Sequence, residues 1–174
     1  MILGLDISSS ITGICILSDK GRVILSSAID LRKKKGFFEK IVQVETVLND
    51  IKQNYDIKSV YIEQPFMFFN SGGSSAKTMA TLQKVNGTVS WLCYSIFDIE
   101  PEYFSAAQAR KSVGIKIKRG ENTKKSVLEF VLDNCDEFEV EYTSRGNPKP
   151  ETYDRADGWV IAKAGWNQCK SEQS

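Results

Sequence analysis

The apolar residues near the start of the chain fall into short runs that are typical of β-strands. Residues 2–7 and 11–17 are rich in β-branched side chains, and three serines separate them. This pattern predicts a β-hairpin, and a third strand is predicted over 22–29 after a turn signal at 19–21. The chain is therefore expected to begin with a meander of three strands.

After residue 36, apolar residues recur at the three- and four-residue intervals of helices. Short strands are predicted at 58–64 and 102–105. Helices are predicted over 37–55, from about 76 to 97, over 106–113, over 123–134 and from about Tyr153 to Asn167. The helix ending at residue 97 carries an apolar stripe of nearly heptad spacing, formed by Met79, Leu82, Val85, Val89, Leu92 and Ile96.

This order of elements predicts a single α/β domain. Three strands, a helix, a strand and then further helices and strands describe a mixed sheet of five strands that is flanked by helices on both faces. A length of 174 residues suits one domain with a sizeable core. We expect the domain to span 1–167 and a polar C-terminal tail to follow at 168–174.

The charges of the chain are unevenly distributed although the formal net charge is only +1. Residues 108–125 contain seven basic residues and one acid, whereas residues 129–141 contain six acids and no base. A balanced total therefore conceals two adjacent patches of opposite sign.

Several classes of mechanism and of site are excluded by composition. The chain has no histidine, so Ser-His-Asp and Cys-His catalysis are impossible. The four cysteines lack the C-x-x-C spacing of zinc sites and are interpreted as free thiols in a reducing compartment. The first apolar run meets Asp6 after five residues, which is too short for a signal peptide or a membrane span, so we expect a cytoplasmic protein.

Four acidic residues stand out because they interrupt or flank apolar segments. Asp6 lies in an apolar strand and Glu63 ends another, where the ordinary interpretations are a turn cap and a charged strand end. Asp154 and Asp157 are three residues apart on one helix face, where acids also complement the helix dipole. Together the four form an oxygen-rich set suited to Mg²⁺ or Mn²⁺. Two such ions about 3.5–4 Å apart would clamp the attacking and leaving oxygens of a phosphodiester, without any histidine.

Four segments, in order along the chain, resemble the RuvC-type Holliday junction resolvases of the RNase H-like superfamily. Residues 2–13 (ILGLDISSSITG) look like the opening strand and hairpin of that family, and residues 61–67 (YIEQPFM) resemble its second motif. Residues 153–162 (YDRADGWVIA) resemble its closing helix, and residues 108–114 (QARKSVG) resemble the region before its basic loop. Each motif alone is weak, but the resemblance extends from residue 1 to about 165.

The resemblance implies an RNase H-like fold and a metal-dependent endodeoxyribonuclease that cuts four-way DNA junctions. It assigns the metal ligands to Asp6, Glu63, Asp154 and Asp157, with Asp6 shared between two Mg²⁺ ions, and it matches Lys125 to a lysine near the scissile phosphate. Cleavage would leave a 5′-phosphate and a 3′-hydroxyl. The working unit would be a homodimer that packs through the 76–97 helix, although simple packing of that helix on the sheet is an open alternative.

DNA contacts are expected from the basic segment and from one aromatic residue. By resemblance Phe66 is the stacking aromatic, and Lys124 is an almost equal candidate to Lys125. The loop between Gly114 and Gly120 adds Lys116, Lys118 and Arg119 as phosphate contacts.

Three features depart from the family pattern: Ile7-Ser8 follows Asp6 where the family has Pro-Gly, the connection over 135–152 is longer, and the histidine that some members carry near the site is absent. The alternative functions are a broader nuclease for flaps, forks or RNA–DNA hybrids, and an RNase H-like module that binds without cutting.

Overall fold

The computed structural model describes residues 1–65 and 76–172. One mixed sheet of five strands has the order β3-β2-β1-β4-β5. The first three strands form the predicted antiparallel meander, and β4 and β5 continue the sheet in parallel to β1. The strands are β1 (Ile2–Asp6), β2 (Ile11–Leu17), β3 (Val23–Asp30), β4 (Ser59–Glu63) and β5 (Glu102–Phe104).

Helices cover both faces of this sheet, as predicted. One face is covered by α1 (Phe37–Asn54) and α2 (Ala76–Phe97), whose buried residues pack with Leu3, Leu5 and Ile62. The other face is covered by α3 (Ala106–Val113), α4 (Thr123–Asn134) and α5 (Pro150–Glu172), with α5 lying directly on β1 and β2. The predicted fold class is confirmed. None of the described helices is long and apolar enough to cross a membrane.

Alternation along the central strands decides which side chains meet α5. Leu3 and Leu5 of β1 point towards α1 and α2, so Ile2, Gly4 and Asp6 point towards α5. In β4 the same alternation directs Tyr61, and with it Glu63, to the α5 face. The acids at the ends of both strands are therefore placed on the face that carries the last helix.

The apolar stripe of α2 is largely used inside the domain. Val85, Val89 and Leu92 are buried against the sheet, which is the simple packing that the sequence had left open. The outer face of α2 instead carries Trp91 and Tyr94, whose residues are 62% and 53% exposed. Any partner that meets this helix would contact the two aromatic residues rather than the middle of the stripe.

The last helix is longer at both ends than predicted. It begins at Pro150 rather than Tyr153, since proline is well suited to the first helical position, and it continues past Asn167 to Glu172. The C-terminal extension is held by tertiary contacts: Gln168 Nε2 donates to Glu102 Oε2 (2.7 Å), and the Tyr61 hydroxyl lies 3.2 Å from Cys169 Sγ. Residues 168–172 are thus helical and not a frayed tail.

Candidate active site

Three carboxylates meet where β1 ends against the first turns of α5. Single carboxylate oxygens of Asp6, Asp154 and Asp157 all lie within 4.8 Å of one another. The three-residue spacing on α5 places Asp154 and Asp157 on the side that faces the sheet, and Asp154 is buried. The structure therefore brings together three of the four predicted ligands as one cluster.

Glycine on β2 allows α5 to approach the sheet this closely. Gly13 is paired with Asp6 in the β1–β2 ladder, and a Cβ atom on Gly13 would lie only 1.8 Å from the backbone oxygen of Asp154. On β1, a Cβ atom on Gly4 would lie 2.4 Å from the backbone nitrogen of Ala162. Because Gly4 and Gly13 have no side chains, the backbone of α5 packs directly on the backbones of β1 and β2. This close packing determines how near Asp154 and Asp157 lie to Asp6. Sequence reasoning quoted both glycines within a motif but assigned them no role.

Glu63 enters the same cleft from the neighbouring strand. It ends β4, which is parallel to β1 with Leu5 paired to Ile62. Glu63 is not one of the three acids within 4.8 Å, but it lines the same cleft as they do. Burial raises the pKa of Asp6 well above its usual range. Among the neighbouring negative charges that raise this pKa further, that of Glu63 contributes most.

Burial disfavours the ionised form of all four acids, and mutual repulsion adds to this for Asp6, Glu63 and Asp157. Burial raises the pKa of Glu63 to about 7, with a further contribution from Asp157, and the charges of Arg110 and Lys124 offset part of this rise. Burial likewise raises the pKa of Asp157 to about 6, and it raises the pKa of Asp154. Concentrated carboxylates of this kind, with oxygen donors alone, suit Mg²⁺ or Mn²⁺, since a divalent cation compensates the charge that burial penalises.

Lys124, and not Lys125, reaches the acids. Lys124 Nζ lies 3.3 Å from Asp154 Oδ1, whereas Lys125 Nζ lies 3.6 Å from Glu129 Oε1 on the outside of α4. Partial burial works to lower the pKa of Lys124, but the charges of Asp154, Asp157 and Asp6 outweigh it and the pKa is raised. The ammonium group is therefore firmly charged.

The sequence contains a signal for this difference between the two lysines. On α4 the buried residues are Val127, Leu128 and Val131, so Lys124 precedes two of them by four and seven residues and shares their face. Lys125 is four residues before the exposed Glu129 and shares the opposite side. Helical periodicity alone favours Lys124 as the inward lysine, whereas the resemblance assigned Lys125.

The acids lie in an open cleft of about 610 Å³. The loop after β1 forms part of its wall, and Ser8 Oγ holds this loop by accepting from the backbone nitrogens of Ser10 (3.1 Å) and Ile11 (3.0 Å). The lining residues besides the acids are Ile7, Ser8, Ser10, Ile11, Gln64, Pro65, Leu82, Lys124, Pro148, Pro150 and Tyr153. Phe66, the predicted stacking residue, lies outside the described residues.

The basic loop lies beside the cleft and not within it. Lys116, Lys118 and Arg119 are exposed, and none of them is among the described residues that line the acidic cleft. Lys116 instead lines a separate groove of about 430 Å³ together with Arg110 and Lys111. The sequence had indicated Arg110 and Lys111 only as members of the basic segment and not as DNA contacts. The predicted phosphate contacts therefore remain a prediction, and the structure adds two basic neighbours to them.

No known family model matches the sequence, and no characterised protein matches it by sequence similarity. Solved structures do match. Thermus thermophilus RuvC in complex with a Holliday junction substrate superposes with a TM-score of 0.71 at 13% identity, covering 98% of this chain and 95% of that chain. A second structure of Thermus thermophilus RuvC has a TM-score of 0.66 at 14% identity, covering 98% of this chain and 96% of that chain. The yeast mitochondrial Holliday junction resolvase Ydc2 has a TM-score of 0.63 at 14% identity and covers 99% and 80%. The chain therefore shares its fold with RuvC and with Ydc2, which is the fold that the four sequence segments predict.

Proposed function

We propose that this chain is a metal-dependent endodeoxyribonuclease that resolves four-way DNA junctions. The observation that carries the proposal is the meeting of Asp6, Asp154 and Asp157 within 4.8 Å, with Glu63 in the same cleft. This arrangement occurs within the fold of proteins described as acting on Holliday junctions. Neither the acids nor the fold alone would select this function, because both occur in other contexts.

The four acids would hold the metal, and Asp6 is the best placed to be shared. The other three acids all raise the pKa of Asp6, so it lies within electrostatic reach of each of them. When bound, two Mg²⁺ ions supply an activated water and stabilise the attacking and leaving oxygens of the phosphodiester. The cleavage would leave a 5′-phosphate and a 3′-hydroxyl.

Lys124 would supply the positive charge that the protein itself contributes to the reaction. Its Nζ atom lies 3.3 Å from Asp154 at the edge of the cluster, and its raised pKa keeps it protonated at neutral pH. A phosphate in the cleft would accumulate negative charge beside this ammonium group in the transition state. Lys125, which the resemblance assigned to this role, remains the competing candidate.

The decisive experiment maps cleavage strand by strand on an immobile four-way junction in Mg²⁺ and then in Mn²⁺. Linear duplex, flap, fork and RNA–DNA hybrid serve as alternative substrates. We expect paired, symmetrically placed nicks on the junction alone, and we expect Asp6→Asn to abolish them while binding persists. Asp50→Asn is the matched control, because Asp50 is exposed on α1.

Each other outcome selects a different function. Equal cleavage of flaps and forks would identify a general debranching nuclease, and cleavage of the hybrid would identify an RNA-directed enzyme. Binding without cleavage in either metal would identify a non-catalytic module. Retained cleavage by Asp6→Asn would refute the assignment of the metal site.

Symmetric nicking needs two active sites, so we include a homodimer in the proposal. The outer face of α2 supports this, since Trp91 and Tyr94 expose large aromatic surfaces on one helix face, and aromatic residues are enriched in interfaces. We expect Trp91→Glu to yield monomers in sedimentation experiments. Leu132→Glu, on the exposed side of α4, is the control that should leave the mass unchanged.

A further inference from the structure

The segment between α4 and α5 forms a β-hairpin at the edge of the acidic cleft. Tyr142 and Pro148 form an antiparallel bridge, and the flanking backbone bonds join Thr143 N to Asn147 O (2.8 Å) and Lys149 N to Glu141 O (2.8 Å). The tip is a tight turn in which Gly146 N donates to Thr143 O (2.9 Å). Gly146 has φ +77°, the conformation that closes a three-residue hairpin loop and that favours glycine. The hairpin lies within the 135–152 connection.

The base of the hairpin is fixed to the helix that carries the acids. Lys149 Nζ lies 2.7 Å from Glu141 Oε2, and Arg155 of α5 lies 4.0 Å from Glu141 Oε1. Thr152, in the first turn of α5, donates from its backbone nitrogen to Lys149 O (3.0 Å). A hairpin held in this way is already ordered, so binding against it costs little conformational entropy.

Two residues of this segment face the site directly. Pro148 of the hairpin and Pro150 at the start of α5 line the same cleft as Asp6, Asp154 and Asp157. A polymeric substrate whose scissile phosphate lies at the acids can therefore extend along the hairpin. Arg145 at the tip lies three residues before Pro148, so its backbone is at most about 10 Å of chain from the wall of the cleft.

The charge of the tip suits a phosphate. The only charged side chain between Tyr142 and Pro148 is Arg145, which is exposed and forms no ion pair within 1–65 and 76–172. Its neighbours Thr143, Ser144 and Asn147 are uncharged and polar. The acids near the hairpin are at its base, where Glu141 is paired with Lys149 and Arg155 and Glu151 is paired with Arg32.

We propose that the 141–149 hairpin is a second DNA-binding element, in which Arg145 contacts a backbone phosphate of the DNA that occupies the acidic cleft. This rests on the proposed function, since the ligand is the DNA substrate in the acidic cleft. Arg145 binds through charge and does not take part in the reaction. The hairpin extends the substrate-binding surface on the side of the cleft formed by the start of α5.

The test measures binding of an immobile four-way junction by fluorescence anisotropy at several KCl concentrations. The Asp6→Asn protein is used throughout so that the substrate stays intact. We expect Arg145→Ala to weaken binding roughly tenfold near 0.1 M salt and to reduce the slope of log K against log salt by about 0.9, the value of one phosphate contact. Arg145→Lys should retain the slope, because a phosphate contact depends mainly on charge.

Arg22→Ala is the matched control. Arg22 is also exposed, but it lies in the β2–β3 turn at the opposite end of the sheet from Asp6. In hydroxyl-radical footprints, Arg145→Ala should lose protection of the backbone at one end of the protected region, whereas Arg22→Ala should not. The third position of the turn that Arg145 occupies accepts most residues, so the variant is expected to fold.

The outcomes separate this proposal from the proposed function. If the wild type cuts junctions and Arg145→Ala binds with unchanged affinity and slope, the hairpin proposal is refuted and the nuclease assignment stands. If the wild type binds junctions without cutting them and the slope still falls, the hairpin proposal stands and the nuclease assignment fails. Absence of any DNA binding would refute both.

Discussion

Replacement of Gly13 by alanine tests whether backbone packing sets the geometry of the acids. The new Cβ would be 1.8 Å from the Asp154 backbone oxygen, and Cβ atoms are essentially never found closer than 3.0 Å to another atom. The start of α5 must therefore retreat from β2 by at least about 1.2 Å, because both contacting groups are backbone and neither can rotate away. This displacement carries Asp154 and Asp157 away from Asp6.

The expected effects on activity and on stability differ in size. A misplacement of about 1 Å in a reacting constellation costs on the order of 10²-fold in rate, so we expect Gly13→Ala to lose about that much cleavage activity. Overpacking of a close contact costs about 1–3 kcal/mol, which a domain with about 5–15 kcal/mol of stability survives. The protein should therefore fold, bind junction DNA and cut it slowly.

Single-turnover cleavage of a four-way junction and urea denaturation together measure these two effects. Gly87→Ala is the control, because Gly87 lies on α2 with nothing within 4 Å of its Cβ position. That substitution should stabilise the protein by about 0.5–1 kcal/mol, the helix preference of alanine over glycine, and leave cleavage unchanged. If Gly13→Ala cuts at the wild-type rate, the close approach of α5 does not determine the geometry of the site.

Three further predictions concern the charges of the site. Lys124→Met should slow single-turnover cleavage about 10²–10³-fold, whereas Lys125→Met should change it only a few-fold; the reverse order would restore the role to Lys125. Because the pKa of Glu63 is raised to about 7 and that of Asp157 to about 6, the metal-free folded protein retains protons that the unfolded chain releases. Its free energy of unfolding in EDTA should therefore fall as the pH rises from 5 to 8, and Glu63 alone should account for a fall of about 3 kcal/mol. A free energy of unfolding that rises over this range would contradict the raised pKa values. Mg²⁺ or Mn²⁺ should raise the Tm more at pH 8 than at pH 5, and Asp6→Asn should remove this difference; an equal rise in that variant would place the metal elsewhere.

Local signals explain why most elements could be predicted to within one residue. The helix at Ala106–Val113 follows Ser105, whose hydroxyl accepts from Gln108 N, and it ends at Gly114 with φ 90°. The helix at Thr123–Asn134 follows Asn122, whose side chain accepts from Lys125 N. Caps of this kind are encoded within four residues, so sequence alone is sufficient to locate them. The sheet order could be anticipated only through the family resemblance.

Contacts between distant segments account for what the sequence did not predict. The extension of α5 to Glu172 depends on Tyr61 and Glu102, which are 108 and 66 residues away from their partners in the sequence. The hairpin at 141–149 was expected only as an acidic and polar connection, because its apolar content is too low to indicate strands. Helical periodicity indicates that Lys124 points inward, but the match to the family motif assigned the role to Lys125.

The positions of the acids and the packing of the glycines are physically linked. Ionising four carboxylates in one cleft is unfavourable, as the raised pKa values of Asp6, Glu63 and Asp157 show. The repulsion between these carboxylates must be offset by other interactions of the folded protein. Here the direct packing of α5 on β1 and β2 offsets it. The energy of burying that helix thus keeps the acids closer than their charges would allow, ready for a cation to compensate them. Gly4 and Gly13, which have no chemistry of their own, are therefore as necessary to a metal site at this position as the carboxylates that would form it.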